Sequence, residues 1–170
     1  MTSLRRERPP ATADERTLLL GWLDLQRALI PWKCEGLDDG AAHRGVLAPT
    51  SPLMTMAGLV SHLRWTEHCW FEVIFLDRPS DVNPQFSDEE DADLRVAGVP
   101  LDRLVAEYEG QCAASNEIVA ASDLDAVAAH PRFGGVSLRW ILLHMLEETA
   151  RHAGHADVVR ELLDGRKGYY

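Results

Sequence analysis

The 170-residue chain is long enough for one domain with its own core, and 46% of its residues are apolar. Its 27 acidic residues outweigh its 17 basic ones and leave a formal charge of −10, which argues against a protein that tracks nucleic-acid phosphates or adheres to an anionic membrane. The basic cluster Arg5, Arg6 and Arg8 is too short to overturn that balance. No apolar run reaches the ~18 residues of a spanning helix, and MTSLRRERPP is followed by no apolar stretch of a secretory signal.

Four amphipathic helices are expected, and no strand. Residues 1–14 read as a flexible arm. The first helix opens at ATADE, where Thr12 and Glu15 have capping-box spacing, and runs to about Ile30, ahead of Pro31. The second opens at TSP, with Ser51 as cap and Pro52 in the first helical position, and continues to Asp77. A long connection from Arg78 to Pro100 follows. It is long enough to let the third helix run parallel to the second, and its acidic run DEEDAD reads as a solvated segment. The third helix follows Pro100 and carries Leu101, Leu104, Val105, Tyr108, Cys112 and Ile118 at gaps of three and four. The fourth starts at Ser137 and stops at Gly165, leaving a tail over 166–170. The expected fold is all-α, a four-helix bundle over residues 15–165 with a long crossover between helices two and three. Three cysteines with no C-x-x-C pair read as small buried hydrophobes in a reducing cytoplasm.

Helix four carries a polar stripe, HMLEETARHAGH. At roughly 100° per residue from His144, Glu148 falls near 40°, His152 near 80° and His155 near 20°, while the apolar positions span roughly 60–140°. His152 therefore points into the buried face, and Glu148 sits at its margin. An ionised carboxylate there costs several kcal/mol unless a cation, an arginine or a proton compensates it. Arg139, Arg151 and Arg160 project mostly to other faces, which disfavours an arginine partner. Residues at i and i+4 stack one turn apart and can share an ion, as Glu148 and His152 would. His144 with Glu148, and His152 with His155, stay open as alternative pairs. On helix two, His62 lies at the edge of the apolar stripe beside Thr66 and Cys69, whereas His68 points toward solvent. His62, Glu148 and His152 make a two-histidine, one-carboxylate set suited to a divalent ion with an open position. His144 and His155 read as partners that hold the ligands' other polar atoms. His43 and His130 fall in loops and read as surface residues. The five tryptophans exceed what one small core needs, so an exposed pair could anchor a homodimer.

The stretches GLVSHLRWTEHCWF and SLRWILLHMLEETARHAGHADVVRELLDG, with DEEDADLRV between them, resemble the DinB-type superfamily from about residue 15 to 165. That superfamily includes thiol-dependent S-transferases and the mycothiol-dependent maleylpyruvate isomerase, and the second stretch is most like an uncharacterised branch of it. The resemblance places the family's metal ligands on His62, Glu148 and His152. Many members carry a third histidine where this chain has Glu148; the isomerase branch carries glutamate. The usual HRGQ after the last ligand is HAGH here, a departure at Ala153 and His155. The resemblance further implies zinc, or nickel or another divalent ion, and frequent homodimers. The implied function is a transferase or isomerase that activates a low-molecular-weight thiol such as mycothiol for attack on a small electrophile. The alternative is a non-catalytic, metal-binding or stress-associated bundle. Whether residues 78–99 cover the site stays open.

Overall fold

Asp14, rather than Thr12, opens the first helix, α1 (Glu15–Cys34): its Oδ1 accepts from the Thr17 backbone N–H at 3.0 Å. These are features of a computed structural model that describes residue 4, residues 6–131 and residues 135–168. Residues 1–3 and 5 of the expected arm and 169–170 of the tail lie outside the described residues. Within the arm, Leu4 packs on the core and the Arg6 guanidinium lies 4.2 Å over the Trp32 ring.

α1 passes through Pro31 instead of stopping before it. Proline removes one helical hydrogen bond, but the turn beyond it is held by burial of Ile30 and Cys34 and by Arg160. That side chain is buried and donates to the Lys33 and Glu35 carbonyls at the helix end. A short helix, α2 (Asp39–Ala42), follows. Its Asp39 Oδ1 accepts from the Leu101 N–H at 2.8 Å and so ties it to the helix that opens after Pro100.

α3 (Met56–Glu67) begins later than the TSP motif suggests. Thr55 caps it, accepting from the Gly58 N–H at 2.9 Å, and residues 51–54 form turns instead. Gly58 matters for packing, because a Cβ there would sit 2.5 Å from the Leu53 carbonyl oxygen and 3.2 Å from that of Leu94. The crossover thus lies directly on the first turn of α3. Beyond Glu67 the helix widens into a π-helical segment, His68–Phe75, so the 3.6-residue count does not hold past that point. α4 (Leu101–Ala120) and α5 (Leu138–Asp164) match expectation. Ser137 caps α5, and Gly165 ends it at φ 76°. An isolated bridge between Val127 and Ser137 is the only β pairing among the described residues.

Two apolar clusters define how the helices run. One joins Ile30, Met56, Leu104 and Val159; the other joins Leu23, Ile74, Val119 and Leu138. The end of α1, the starts of α3 and α4 and the end of α5 therefore meet at one end of the bundle. So α1 and α5 run one way, and α3 and α4 run the other, which the long crossover makes possible. Between the clusters lies a charged centre. Fully buried Arg27 grips both Glu67 oxygens at 2.7 Å and also donates to Asp24 and Asn116. Of the tryptophans, Trp22 and Trp140 are exposed. No helix among the described residues is long and apolar enough to cross a membrane.

Candidate metal centre

α3 and α5 cross where His62 faces Glu148 and His152. The i,i+4 spacing of the α5 pair brings His152 Nε2 to 3.1 Å from Glu148 Oε1, and His62 Nε2 reaches the same oxygen at 3.3 Å from across the groove. The two imidazole rings are 4.6 Å apart between centroids, inclined at 62°. One ligand atom from each of the three residues lies within 4.8 Å of the others, so the group could hold a metal ion. The side chains keep 20%, 17% and 14% of their surface for His62, Glu148 and His152, which leaves the cluster reachable from solvent. Two imidazoles and a carboxylate are donors that divalent transition metals accept. None of the three arginines of α5 forms an ion pair with Glu148. Arg139 pairs with Glu15 and Asp125, Arg151 with Glu147, and Arg160 with Asp164.

The surrounding contacts divide the remaining histidines. His155 Nδ1 lies 3.3 Å from His152 Nδ1, beside the cluster. His144 is drawn elsewhere: its ring stacks on Trp140 at 5.2 Å and meets Trp70 edge-on at 4.5 Å. His43 Nε2 is 2.8 Å from the Val99 carbonyl oxygen. The His130 backbone N–H donates to the Ile74 carbonyl. His68, expected toward solvent, is buried against Asn83, whose Nδ2 sits 3.2 Å from its Nδ1. A helical wheel cannot anticipate this cover, because it comes from the returning crossover.

That crossover also supplies two residues that the sequence did not single out. Asp93 Oδ2 lies 2.7 Å from His62 Nδ1 and accepts from Gln85 Nε2 at 2.7 Å. Asp93 is buried, whereas the Asp88–Asp91 stretch before it is exposed. The solvated reading of DEEDAD therefore fails at its last residue. A single 3₁₀ turn, Ala92–Leu94, is too short for any periodicity to mark Asp93 among its acidic neighbours. A cavity of about 400 Å³ opens beside His62, bordered by Gln85, Asp93 and the exposed acids. A larger one, about 570 Å³, lined by Cys34, Leu37, Asp39 and Leu101, shares no residue with the cluster.

Electrostatics bind the cluster together in the metal-free protein. Burial opposes charge on His62, but hydrogen bonds to Asp93 and Glu148 outweigh it and raise its pKa from 6.5 to about 9. The hydrogen bond from His152, then that from His62, holds Glu148 well below the usual carboxylate range. Burial raises Asp93, yet the bonds from His62 and Gln85 leave it lowered. Burial, then the neighbouring His152 and Arg151, lowers His155.

The stabilisation from His62 is complete below about pH 6.5 and is lost as pH rises through about 9. The two carboxylates contribute above their unfolded values, near 3.8 and 4.5, and lose that contribution as pH falls. The cluster therefore stabilises metal-free protein most between about pH 5 and 6.5. Denaturation midpoints at about pH 6 should exceed those at about pH 10 by more in wild type than in His62→Gln. Equal differences in the two proteins would refute this linkage.

All three cysteines are free. Cys34 and Cys112 are buried, and Cys69 is partly so. Burial pushes the thiols of Cys34 and Cys69 up to about 12, so neither offers a thiolate at neutral pH. No curated protein matches the chain. The family model for mycothiol S-transferases matches residues 18–165, which span α1 to the Gly165 stop after α5. The chain therefore belongs to the mycothiol S-transferase family, within the DinB-like superfamily.

Proposed function

We propose that this protein is a divalent-metal-dependent thiol transferase that delivers the sulfur of a low-molecular-weight thiol, mycothiol first among them, to a small electrophile. The observation that carries the reading is the convergence of His62, Glu148 and His152, with one ligand atom from each within 4.8 Å. Ligand atoms about 2.0–2.1 Å from a tetrahedral zinc lie about 3.3 Å apart. The 3.1 and 3.3 Å separations about Glu148 Oε1 suit that ion, although nickel or a similar cation would take the same donors.

When bound, such a cation supplies Lewis acidity, which lowers the pKa of a thiol brought to it. The chain's own residues do the rest. His62 and His152 would each turn one imidazole nitrogen to the cation from opposite walls of the groove, and Glu148 would offset part of its charge. Because Cys34 and Cys69 are kept protonated, they do not compete as nucleophiles, and the reacting sulfur comes from a cosubstrate. In the transfer, the sulfur forms a bond to carbon, the thiol proton passes to solvent, and the leaving group departs with its bonding pair.

The test follows thiol consumption with 1-chloro-2,4-dinitrobenzene as electrophile and mycothiol, cysteine or glutathione as thiol. Untagged protein is compared before and after chelation. Conjugation with mycothiol that chelation abolishes and zinc restores is the expected result. Stoichiometric metal with no conjugation of any thiol would favour the non-catalytic metal-binding bundle instead.

A further inference from the structure

We infer that Asp93, carried in by the crossover, is the positioning residue of the metal centre: it accepts the hydrogen bond from His62 Nδ1–H and so turns the Nε2 lone pair toward Glu148 and His152. The inference rests on the metal-binding reading above and adds a residue to it.

The hydrogen-bond roles follow from one another. The single Thr66 hydroxyl proton is donated to the His62 carbonyl at 2.9 Å. The Thr66 oxygen must therefore accept from Gln85 Nε2, 3.0 Å away. That nitrogen's second proton goes to Asp93 Oδ2 at 2.7 Å, so the Asp93 oxygen is an acceptor. His62 Nδ1, 2.7 Å from the same oxygen, must then be the donor. A neutral His62 bonded in this way keeps its proton on Nδ1 and its lone pair on Nε2, the atom that faces Glu148. The circuit begins and ends on α3, so the helix that offers the ligand also dictates its tautomer.

The crossover is fastened for this task at its other end as well. Asn83 Nδ2 donates to the Trp65 carbonyl at 3.0 Å, and Asn83 Oδ1 accepts from the Gln85 backbone N–H at 2.9 Å, which sets the position of Gln85. Asp93 is 6% exposed, and burying a carboxylate this far is tolerable only because both donors are in place. A carboxylate on the distal nitrogen also raises the basicity of a ligating imidazole. Removing such a partner typically weakens metal binding about 10- to 100-fold.

The test uses the full chain as wild type, Asp93→Asn, Asp93→Ala, Gln85→Ala and His152→Ala. Zinc affinity is read by competition with a chromophoric chelator. Long-range ¹H–¹⁵N correlation reads which His62 nitrogen carries the proton in the zinc-loaded protein. Asp93→Ala should weaken zinc binding about 10- to 100-fold, with Asp93→Asn and Gln85→Ala giving smaller losses in that order. The wild-type His62 should show a protonated Nδ1, and that signal should shift in both Asp93 variants. If Asp93→Ala does not keep the wild-type circular dichroism, the outcome is read on Asp93→Asn. Wild-type affinity and an unmoved His62 signal in the Asp93 variants, beside loss of zinc in His152→Ala, would overturn the role of Asp93 and leave the metal centre standing. Failure of wild type itself to bind zinc would overturn both.

Discussion

His152→Ala is expected to emerge from an untagged purification with divalent metal at background level, whereas wild type retains it near stoichiometry. The substitution deletes the Nε2 atom 3.1 Å from Glu148 and leaves His62 and Glu148 as the remaining pair. Two protein donors hold a divalent ion far less firmly than three, because water must supply the rest of the coordination. Glu148→Ala should have the same outcome, since both imidazoles converge on its Oε1. His144→Ala is the informative control. It lies on the same polar stripe of α5, but its ring is engaged with Trp70 and Trp140, so metal content should be unchanged. Elemental analysis of the four proteins decides the matter. If His152→Ala and Glu148→Ala both keep wild-type metal, the ligand set is wrong and the proposed activity loses its foundation.

Arg27→Met is expected to cost about 3–5 kcal/mol of folding stability, the usual penalty for stranding one member of a buried ion pair. Arg27 and Glu67 are both fully buried and bonded through two parallel N–H···O contacts of 2.7 Å, with a further Nη1 bond to Asn116 at 2.7 Å. Burial opposes the arginine's charge, and Glu67 more than compensates, raising its pKa. Methionine would leave the fully buried Glu67 carboxylate without its partner. The double variant Arg27→Met, Glu67→Leu should recover most of the loss, because the cost lies in the orphaned charge more than in any net worth of the pair. Guanidinium denaturation of the three proteins measures both effects. A single-variant cost below about 1 kcal/mol would mean that Glu67 does not depend on Arg27.

The two predictions differ in how far the sequence exposed them. Glu148 and His152 were visible because helical spacing converts sequence separation directly into a shared face, and α5 follows the 3.6-residue count from Ser137 to Gly165. His62 was visible for the same reason, since it precedes the point where α3 widens into a π-helix. Arg27 carried no such mark. It is one of two arginines in an amphipathic helix, and its burial depends on Glu67, forty positions away in sequence.

By itself, the sequence determined what depends on local geometry: four long helices, the two caps of α5, a crossover long enough to make α3 and α4 parallel, and the helical faces bearing the three candidate ligands. Only the tertiary structure decided what depends on contacts across the chain. It buries Asp93 against His62, covers His68 with Asn83, carries α1 past Pro31 with the help of Arg160, and moves His144 into the tryptophans. The physical reason is that periodicity reports which way a side chain leaves its own helix. What it meets there is set by loops and partner helices that obey no short repeat.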